Sequence, residues 1–305
     1  MKKQLFMTLW FILTTFAVWS DIDVDQQDIG LDKINQPAKR TPFSFDTHFD
    51  VIGASEINKG HYKGHKVHFA EAEVEAGAIV YYCPTYTEGA RVALGYSPTY
   101  LHWQENPWLD QDHFHIVSLS LAGFTKRMDR WFWRTQLTAN IDAQEWSGKY
   151  TSYDILLWGR YAYFDTIGIH FGFLAQTGLR MDRIYPVIGF DWQISRKWRL
   201  SAVFPMDISL LYSFSSNWSI GAAGRFFNSH IRVRREDHAL KPLVGYSNVG
   251  AEFVLKYENP IISANIHVGS TLGGTFRVAN HRNHHADDYH LDPSAYAGAE
   301  VDVKF

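Results

Sequence analysis

Hydrophobic and polar residues alternate along the stretch from Pro186 to Phe227, in four short segments separated by tight polar turns. In Trp198–Phe204, for example, every second residue is apolar, whereas Arg199 and Ser201 occupy the positions between them. A period of two is typical of a β-strand whose two faces meet different environments. Because the turns at 195–197 and 215–217 are only a few residues long, neighbouring strands must run antiparallel. The stretch therefore predicts an up-and-down meander.

The apolar face of this meander could point into a protein core or out into lipid. Trp and Tyr residues lie at the strand ends, at Trp192, Trp198, Tyr212 and Trp218, whereas Arg, Asp, Ser and Gly occupy the opposite face. Aromatic residues at both edges of an outward apolar band are typical of transmembrane β-barrels. A soluble β-sandwich or lipocalin-like barrel is the alternative, but single soluble domains rarely contain so many alternating strands.

The same alternation continues from Phe43 to the C-terminus. It is clearest in Trp131–Asp142, where burying the face that carries Arg134 in lipid would cost several kcal/mol near the midplane. We predict an all-β, transmembrane antiparallel up-and-down barrel of about fourteen strands, with twelve as the alternative. Short connections alternate with longer ones, which we predict at residues 53–64, 104–112, 143–152, 180–185, 228–245 and 278–293. Only the connection at 205–207 is short on the side of the long ones. This asymmetry predicts short periplasmic turns, long outer loops and both termini in the periplasm.

The N-terminus has the pattern of an export signal. Met1-Lys2-Lys3 precedes an apolar stretch from Leu5 to Val18, which is short for a membrane-spanning helix. We predict a secretory signal peptide at residues 1–20, a polar periplasmic segment at 21–42 and the barrel at 43–305; an uncleaved anchor is the alternative. Removing the signal leaves a net charge of −5, and mean hydropathy is slightly negative at −0.23. Cys83 is the single cysteine, so no internal disulfide can form.

The last seven residues, Ala299–Phe305, alternate up to a terminal phenylalanine. This ending resembles the C-terminal signal by which the barrel assembly machinery recognises bacterial outer-membrane β-barrel proteins. The resemblance implies an outer-membrane location, with membrane lipids and that machinery as partners. Pro186–Phe227 is also similar to an uncharacterised family of bacterial outer-membrane barrels, a similarity that implies no activity. Large porins match in architecture only, because their long constriction loop has no clear counterpart here.

Strand phase also predicts which charged residues line the lumen. At fourteen strands the interior exceeds what side chains alone fill. Charges of both signs could therefore line a water-filled channel for small solutes, or pair across a narrow lumen and close it. The predicted lumen residues are Arg134, Asp154, Arg160, His170, Asp191, Arg199, Asp207, Arg225, Glu252, Lys256, His267, Glu300 and Lys304.

Histidines concentrate in the predicted outer loops. Because the first and last strands of a closed barrel pair, the first outer loop should lie beside the last, and imidazoles brought together there could bind Zn²⁺, Cu²⁺ or Ni²⁺. A solvated polar loop whose imidazoles only titrate is the simpler interpretation. The candidate metal ligands are His61, His65, His281, His284, His285 and His290.

Three functions follow from this interpretation. The favoured one is an outer-membrane pore for passive transport of small solutes, without a cofactor. The alternative is a closed barrel that acts as a surface binding or structural protein through its His-rich loops. A hydrolase with a catalytic site at the rim ranks lower, because Ser229-His230 and the group of Asp287, Asp288 and His290 match no catalytic motif. No pattern indicates nucleic-acid binding.

Overall fold

The fold is a closed antiparallel β-barrel. The computed structural model describes residues 42–105, 111–179, 182–205, 207–233, 241–280 and 282–305. Strands that are neighbours in sequence pair with each other, except that the last two segments both pair with the strand before them. The last strand also pairs with the first, in the register Ser44↔Lys304 to Ile52↔Tyr296. The strands are β1 Phe43–Glu56, β2 Lys66–Cys83, β3 Glu88–Trp103, β4 His113–Thr125, β5 Trp131–Asp142, β6 Thr151–Phe164, β7 Ile167–Gly178, β8 Arg183–Gln193, β9 Trp198–Phe204, β10 Asp207–Ser213, β11 Trp218–Arg232, β12 Leu243–Glu258, β13 Ile262–Ala279, β14 Asp287–Leu291 and β15 Ala295–Lys304.

The predicted fourteen strands are confirmed, with one irregularity. β14 pairs with residues 274–278 of β13, toward the long loops, and β15 pairs with residues 262–270, toward the short turns. The two segments therefore form one barrel strand, interrupted at residues 292–294, and the barrel has 14 strands. Ile57 bridges Leu291, so β1 follows this last strand past its interruption.

Three predicted loop boundaries are wrong. The connection expected at 180–185 is shorter, because β8 already begins at Arg183. The loop expected at 228–245 is mostly strand, since the ladder between β11 and β12 continues to Arg232↔Leu243. The loop expected at 278–293 contains β14. In each case cross-strand pairing extends through residues whose apolar alternation is weak. The predicted signal peptide (1–20) and polar segment (21–42) lie outside the described residues, except for Pro42.

The outward side chains are apolar, as the sequence predicts. Leu137 is 45% exposed and Leu210 is 40% exposed, whereas the polar residues between such positions are shielded inside the barrel. The predicted aromatic residues are present at the short-turn edge of this band, where Trp198 contacts Tyr212 and Trp218 contacts Tyr257. An outward apolar band around a polar interior is the arrangement of an outer-membrane β-barrel. Within the described ranges, no helix has the length and apolarity that crossing a membrane requires.

We expect Leu137→Lys to lower the free energy of unfolding by about 2–4 kcal/mol, because it places a charge on the lipid-facing surface near the bilayer midplane. Gln136→Lys is the matched control, because Gln136 is the residue before Leu137 and its side chain lines the interior cavity. Urea titration of the protein in lipid vesicles, followed by tryptophan fluorescence, measures both. Equal losses for the two variants would contradict the assignment of faces.

Candidate functional site

The interior contains a buried charged cluster around Arg225 on β11. Its guanidinium donates to Glu252 at 2.9 Å and approaches Glu300 at 2.7 Å and Asp50 at 3.3 Å. Asp50 also pairs with His267 Nε2 at 2.6 Å. Three carboxylates thus surround one arginine, and with His267 the cluster spans five neighbouring strands, β11, β12, β13, β15 and β1. A buried cluster of this kind is costly to desolvate, so it fixes the geometry of the wall more than it adds stability.

A second cluster is centred on Asp191 of β8. Arg160 binds its carboxylate with two hydrogen bonds, at 2.7 and 2.8 Å, and His170 Nε2 lies 2.6 Å from the same group. Trp158 Nε1 donates to His170 Nδ1 at 3.0 Å. Because Nδ1 accepts this bond, it carries no proton, and Nε2 must be the nitrogen that donates to Asp191. The cluster is therefore a directed chain of hydrogen bonds along β6, β7 and β8.

Glycines on the inner wall leave room for these ion pairs. A Cβ at Gly168 would collide with both Asp191 and the Arg160 guanidinium, and one at Gly298 would collide with Asp50 and His267. A third arginine, Arg91, donates to Glu75 at 2.6 Å and lies against Gly77 in the same way. At each of these glycines, charged side chains therefore lie directly against the strand backbone.

An apolar cluster fills one side of the interior at the long-loop end. Phe69 of β2 stacks on Tyr246 of β12 with ring centroids 4.2 Å apart. Along the wall these strands are separated by four strand spacings, about 19 Å, so the contact bridges the interior. Its buried members are Ile52, Ile57, Val67, Phe69, Leu101, Trp103, Phe114, Phe227, Ile231, Val233, Val244, Tyr246, Phe276, Val278, Leu291 and Tyr296.

The upper part of β11 and β12 leans into the barrel. Neighbouring strand residues point to opposite faces, yet Phe227 and Asn228 are both 1% exposed, and Leu243 and Val244 are equally buried. One face of this segment packs into the apolar cluster, and the other turns toward β5 to β7. Arg232, at the end of β11, lies over the Tyr150 ring at 5.4 Å and donates to Lys149 O at 3.2 Å.

A polar cavity of about 160 Å³ lies between this segment and the wall formed by β1 to β7. Arg134 donates to Gln136 at 2.6 Å, and Asn140 donates to Asp154 at 2.6 Å, so one wall of the cavity is a ladder of hydrogen-bonding groups. A separate, smaller space of about 20 Å³ lies beside Tyr150 and Arg232, toward the long-loop end. We call the space of about 160 Å³ the central cavity, and the titratable residues that line it are His48, Glu71, Glu73, Glu75, Arg134, Asp154 and His230.

A second cavity, of about 310 Å³, lies at the short-turn end. Its lining includes Arg199 of β9 and Lys256 of β12, and Lys256 pairs with Glu258 at 3.1 Å. The interior therefore has polar space at both ends of the barrel.

Eleven of the thirteen predicted lumen residues fall into four places in this interior, two cavities and two buried clusters. Arg134 and Asp154 line the central cavity, and Arg199 and Lys256 line the short-turn cavity. Asp207 accepts a hydrogen bond from Ser209, and Lys304 pairs with Asp302. The two buried clusters contain the remainder: Arg160, His170 and Asp191 in one, Arg225, Glu252, His267 and Glu300 in the other. Their role in conduction stays a prediction.

Several residues of the site are absent from the sequence-based list. Asp50 and Glu75 could have been found, because each lies at a position between apolar residues of an alternating strand. Asn228 and His230 could not have been found, because residues at the same alternating positions earlier in β11 face lipid. Only the inward lean of this segment places them beside the cavity.

The predicted metal ligands lie at the long-loop rim, where the first and last outer connections meet. Asn58 N donates to His290 O at 3.0 Å, and Tyr62 contacts Tyr289. His65, however, faces Gln104 O and Glu105, and His61 lies against Tyr62. Among the described residues, which include His284 and His285 but not His281, no three His, Cys, Asp or Glu side chains form a group that could hold a metal ion.

We expect Gly168→Ala to lower the free energy of unfolding by about 1–3 kcal/mol, because the added methyl group displaces a buried ion pair from its partners. Gly148→Ala is the control, since a Cβ at this loop glycine meets open space. Thermal unfolding in detergent, followed by circular dichroism, compares the two. An unchanged midpoint for Gly168→Ala would contradict the close approach described above.

The metal hypothesis predicts that Zn²⁺ binds the folded protein with a heat that falls when His281, His284, His285 and His290 are all replaced by alanine. Calorimetric titration of both proteins is the measurement, with Mg²⁺ as a control cation that histidines bind poorly. Equal Zn²⁺ heats for the two proteins would end the hypothesis.

Comparison with known proteins gives relatives without an assigned activity. The chain is 22% identical over 208 residues to an uncharacterized protein of Chlamydia pneumoniae, covering 64% of this chain and 63% of the relative. It is also 22% identical over 200 residues to an uncharacterized protein of Chlamydia muridarum, with the same shares covered. The chain thus spans less than two thirds of the length of the curated relatives it matches.

Among solved structures, the chain is similar to an outer-membrane channel of Pseudomonas putida F1, with 6% identity and a TM-score of 0.47 over 89% of this chain and 98% of that one. The toluene transporter TbuX of Ralstonia pickettii is also similar, with 9% identity and a TM-score of 0.37 over 94% and 95%. With TM-scores below 0.5, neither similarity bears on the solute or mechanism of this chain.

A family model, described as a domain of unknown function (DUF6268), matches residues 115–304. The match includes the Pro186–Phe227 meander and extends over β5 to β15, which is more than half of the chain. This outer-membrane β-barrel protein belongs to the DUF6268 family.

Proposed function

We propose that the barrel is a passive pore for small solutes and that polar solutes cross it through the central cavity. The observation that carries the proposal is the cavity of about 160 Å³ inside a closed barrel, lined by hydrogen-bonding side chains. Polar lining groups replace part of the hydration of a solute, which is the usual basis of selective passage. The apolar cluster occupies the other side of the interior, so the route is confined to the side of β5 to β7.

The charges of the lining favour cations and uncharged polar solutes. Glu71, Glu73 and Asp154 line the cavity together with Arg134. Glu75 is held by Arg91 at 2.6 Å, so its charge is largely compensated. The remaining excess of carboxylates gives the cavity a negative potential, and anions should pass less readily than cations.

The route narrows at the long-loop end, where Arg232 contacts Tyr150 and Lys149. These contacts join the leaning segment of β11 to the β5–β6 connection across the mouth of the cavity. In the proposed function this contact sets the conductance, because the space beside Tyr150 and Arg232 has a volume of only about 20 Å³.

The alternative is a closed barrel that binds a partner through its long-loop end. The specific observation in its favour is the apolar cluster, which seals one side of the interior with stacked rings from opposite walls. A purely structural barrel would give no current in any variant, so electrical recording distinguishes the two functions.

We expect the purified protein to give single-channel steps in a planar bilayer with a preference for cations. Tyr150→Ala should raise the conductance at least about twofold, because it removes the ring that narrows the mouth of the cavity. Tyr153→Ala is the matched control, because Tyr153 lies three residues further along the chain, on β6, where it points outward and is 44% exposed. A folded preparation without steps, in both the parent protein and Tyr150→Ala, would exclude the pore.

A further inference from the structure

One polar side chain of the central cavity has no partner within the part of the chain that the structure describes. Asn228 is 1% exposed and lines the cavity, and neither its amide nitrogen nor its amide oxygen has a hydrogen-bond partner there. The wall formed by β4 and β5 differs, because Ser120 and Thr138 bond each other at 2.8 Å and Gln136 donates to Thr138 at 3.2 Å. Buried polar groups nearly always find a partner, either in the protein or in a molecule that it binds. Asn228 is therefore a group that a bound molecule would satisfy.

The wall formed by β5, β6 and β7 offers further hydrogen-bonding groups to the same cavity. Asp154 accepts a hydrogen bond from Asn140 at 2.6 Å, and Gln176 pairs with Asp154 in the register between β6 and β7. His230, two residues beyond Asn228, borders the smaller space together with Asn140. Asn228 lies about 7 Å nearer the short-turn end than His230, toward the row of Asp154 and Gln176. A small molecule in the cavity therefore has hydrogen-bonding groups on both sides.

Apolar side chains lie next to these polar groups. Leu156 and Leu174 form the inward pair that follows Asp154 and Gln176 toward the short-turn end, and both leucines line the central cavity. Pockets that bind small molecules commonly combine an apolar surface with a few convergent polar groups. The carbon skeleton of a solute can therefore pack on the leucines while its polar groups form hydrogen bonds with their neighbours.

The Asn228 amide restricts the chemistry of the ligand. An amide group donates through its nitrogen and accepts through its oxygen, so a ligand that satisfies Asn228 must both accept and donate. An ammonium group only donates and would leave the amide nitrogen without a partner. A carboxylate only accepts, would leave the amide oxygen without a partner, and would be repelled by Glu71 and Glu73 in the same cavity. A hydroxyl group does both and carries no charge.

We propose that the central cavity is a binding site for a small uncharged polyol and that Asn228 determines its specificity. One hydroxyl of the polyol binds the Asn228 amide, a second donates to Asp154, and the carbon skeleton packs on Leu156 and Leu174. The space of about 160 Å³ equals the liquid volume of about five water molecules, which a polyol of about four carbons can displace. This inference rests on the proposed function in one respect, that the bound polyol is the solute that the pore conducts.

Probes with carbon chains of equal length test the chemistry of the site. Erythritol carries hydroxyl groups, putrescine carries ammonium groups and succinate carries carboxylates. Saturation-transfer NMR measures their binding to the full-length protein in nanodiscs of deuterated lipid, over a range of probe concentrations. We expect saturable binding of erythritol and about tenfold weaker binding of putrescine and succinate, because each of these leaves a buried group of Asn228 without a partner. An erythritol signal that never saturates, as for a cavity that holds water only, or equally tight binding of putrescine or succinate would overturn the site.

Two variants test the role of Asn228. Asn228→Leu keeps the size of the side chain but removes its hydrogen-bonding groups, so it should weaken erythritol binding about tenfold, the effect of one hydrogen bond to a buried group. Asn217→Leu makes the same change in the lining of the short-turn cavity and should leave erythritol binding as it is in the parent protein. Unchanged erythritol binding in folded Asn228→Leu, or an equal loss in Asn217→Leu, would overturn the proposal. The probe series on the parent protein tests the site independently of whether the variants fold.

The outcome separates the binding site from the pore. Saturable erythritol binding without single-channel steps removes the conduction proposal and keeps the site. Single-channel steps without saturable erythritol binding keep conduction and remove the site.

Discussion

The structure depends on one constraint: in hydrocarbon, each backbone N–H and C=O needs a partner within the protein. A sheet satisfies this demand only when it closes, and here β1 closes it by pairing with β15 over nine consecutive residues. Closure then creates an inside, and the strand period of two assigns every residue to the inside or to the lipid. The charged clusters, the apolar cluster and the cavities all follow from the residues that this assignment sends inward.

Within the described residues, the interior is divided into regions of different chemistry. On one side, rings from opposite walls stack, as Phe69 does with Tyr246. On the other side, charged and amide groups leave polar space. Buried ion pairs hold neighbouring strands together through side chains as well as backbone. Because removing one partner of a buried pair leaves the other without compensation, the clusters constrain which residues the inner wall tolerates, including the glycines they pass over.

Much of the fold could be predicted because alternation is a local signal. Each strand carries its own phase, so Leu137 could be placed in lipid and Arg134 inside without knowledge of the partner strands. The number of strands and the pairing of the first with the last followed from the same reasoning. The lumen residues were found in this way, but not their partners: which carboxylate meets Arg225 depends on register across β11, β12, β13, β15 and β1, and the alternation of one strand carries no register.

The sequence also could not predict where the barrel wall bends inward. Because the last part of β11 leans inward, Asn228 and His230 face the cavity. Residues of the same strand phase earlier in β11, where the wall is straight, face lipid. The short β9–β10 connection was visible as an exception among the long loops. Its structural result is that the ladders of β9 and β10 with their neighbours end early, at Ile188↔Phe204 and Ile208↔Gly224. Alternation alone cannot distinguish a low hairpin in a continuous wall from one that leaves its neighbours unpaired.

The uneven height of the wall has a consequence for the surrounding bilayer. Around most of the circumference the apolar belt is tall, but beside β9 and β10 it stops early. Lipids adjust to a short hydrophobic surface by local thinning. The leaflet next to this hairpin should therefore be compressed, which gives the barrel one distinct side in the plane of the membrane and makes the lipids at that side the easiest to displace.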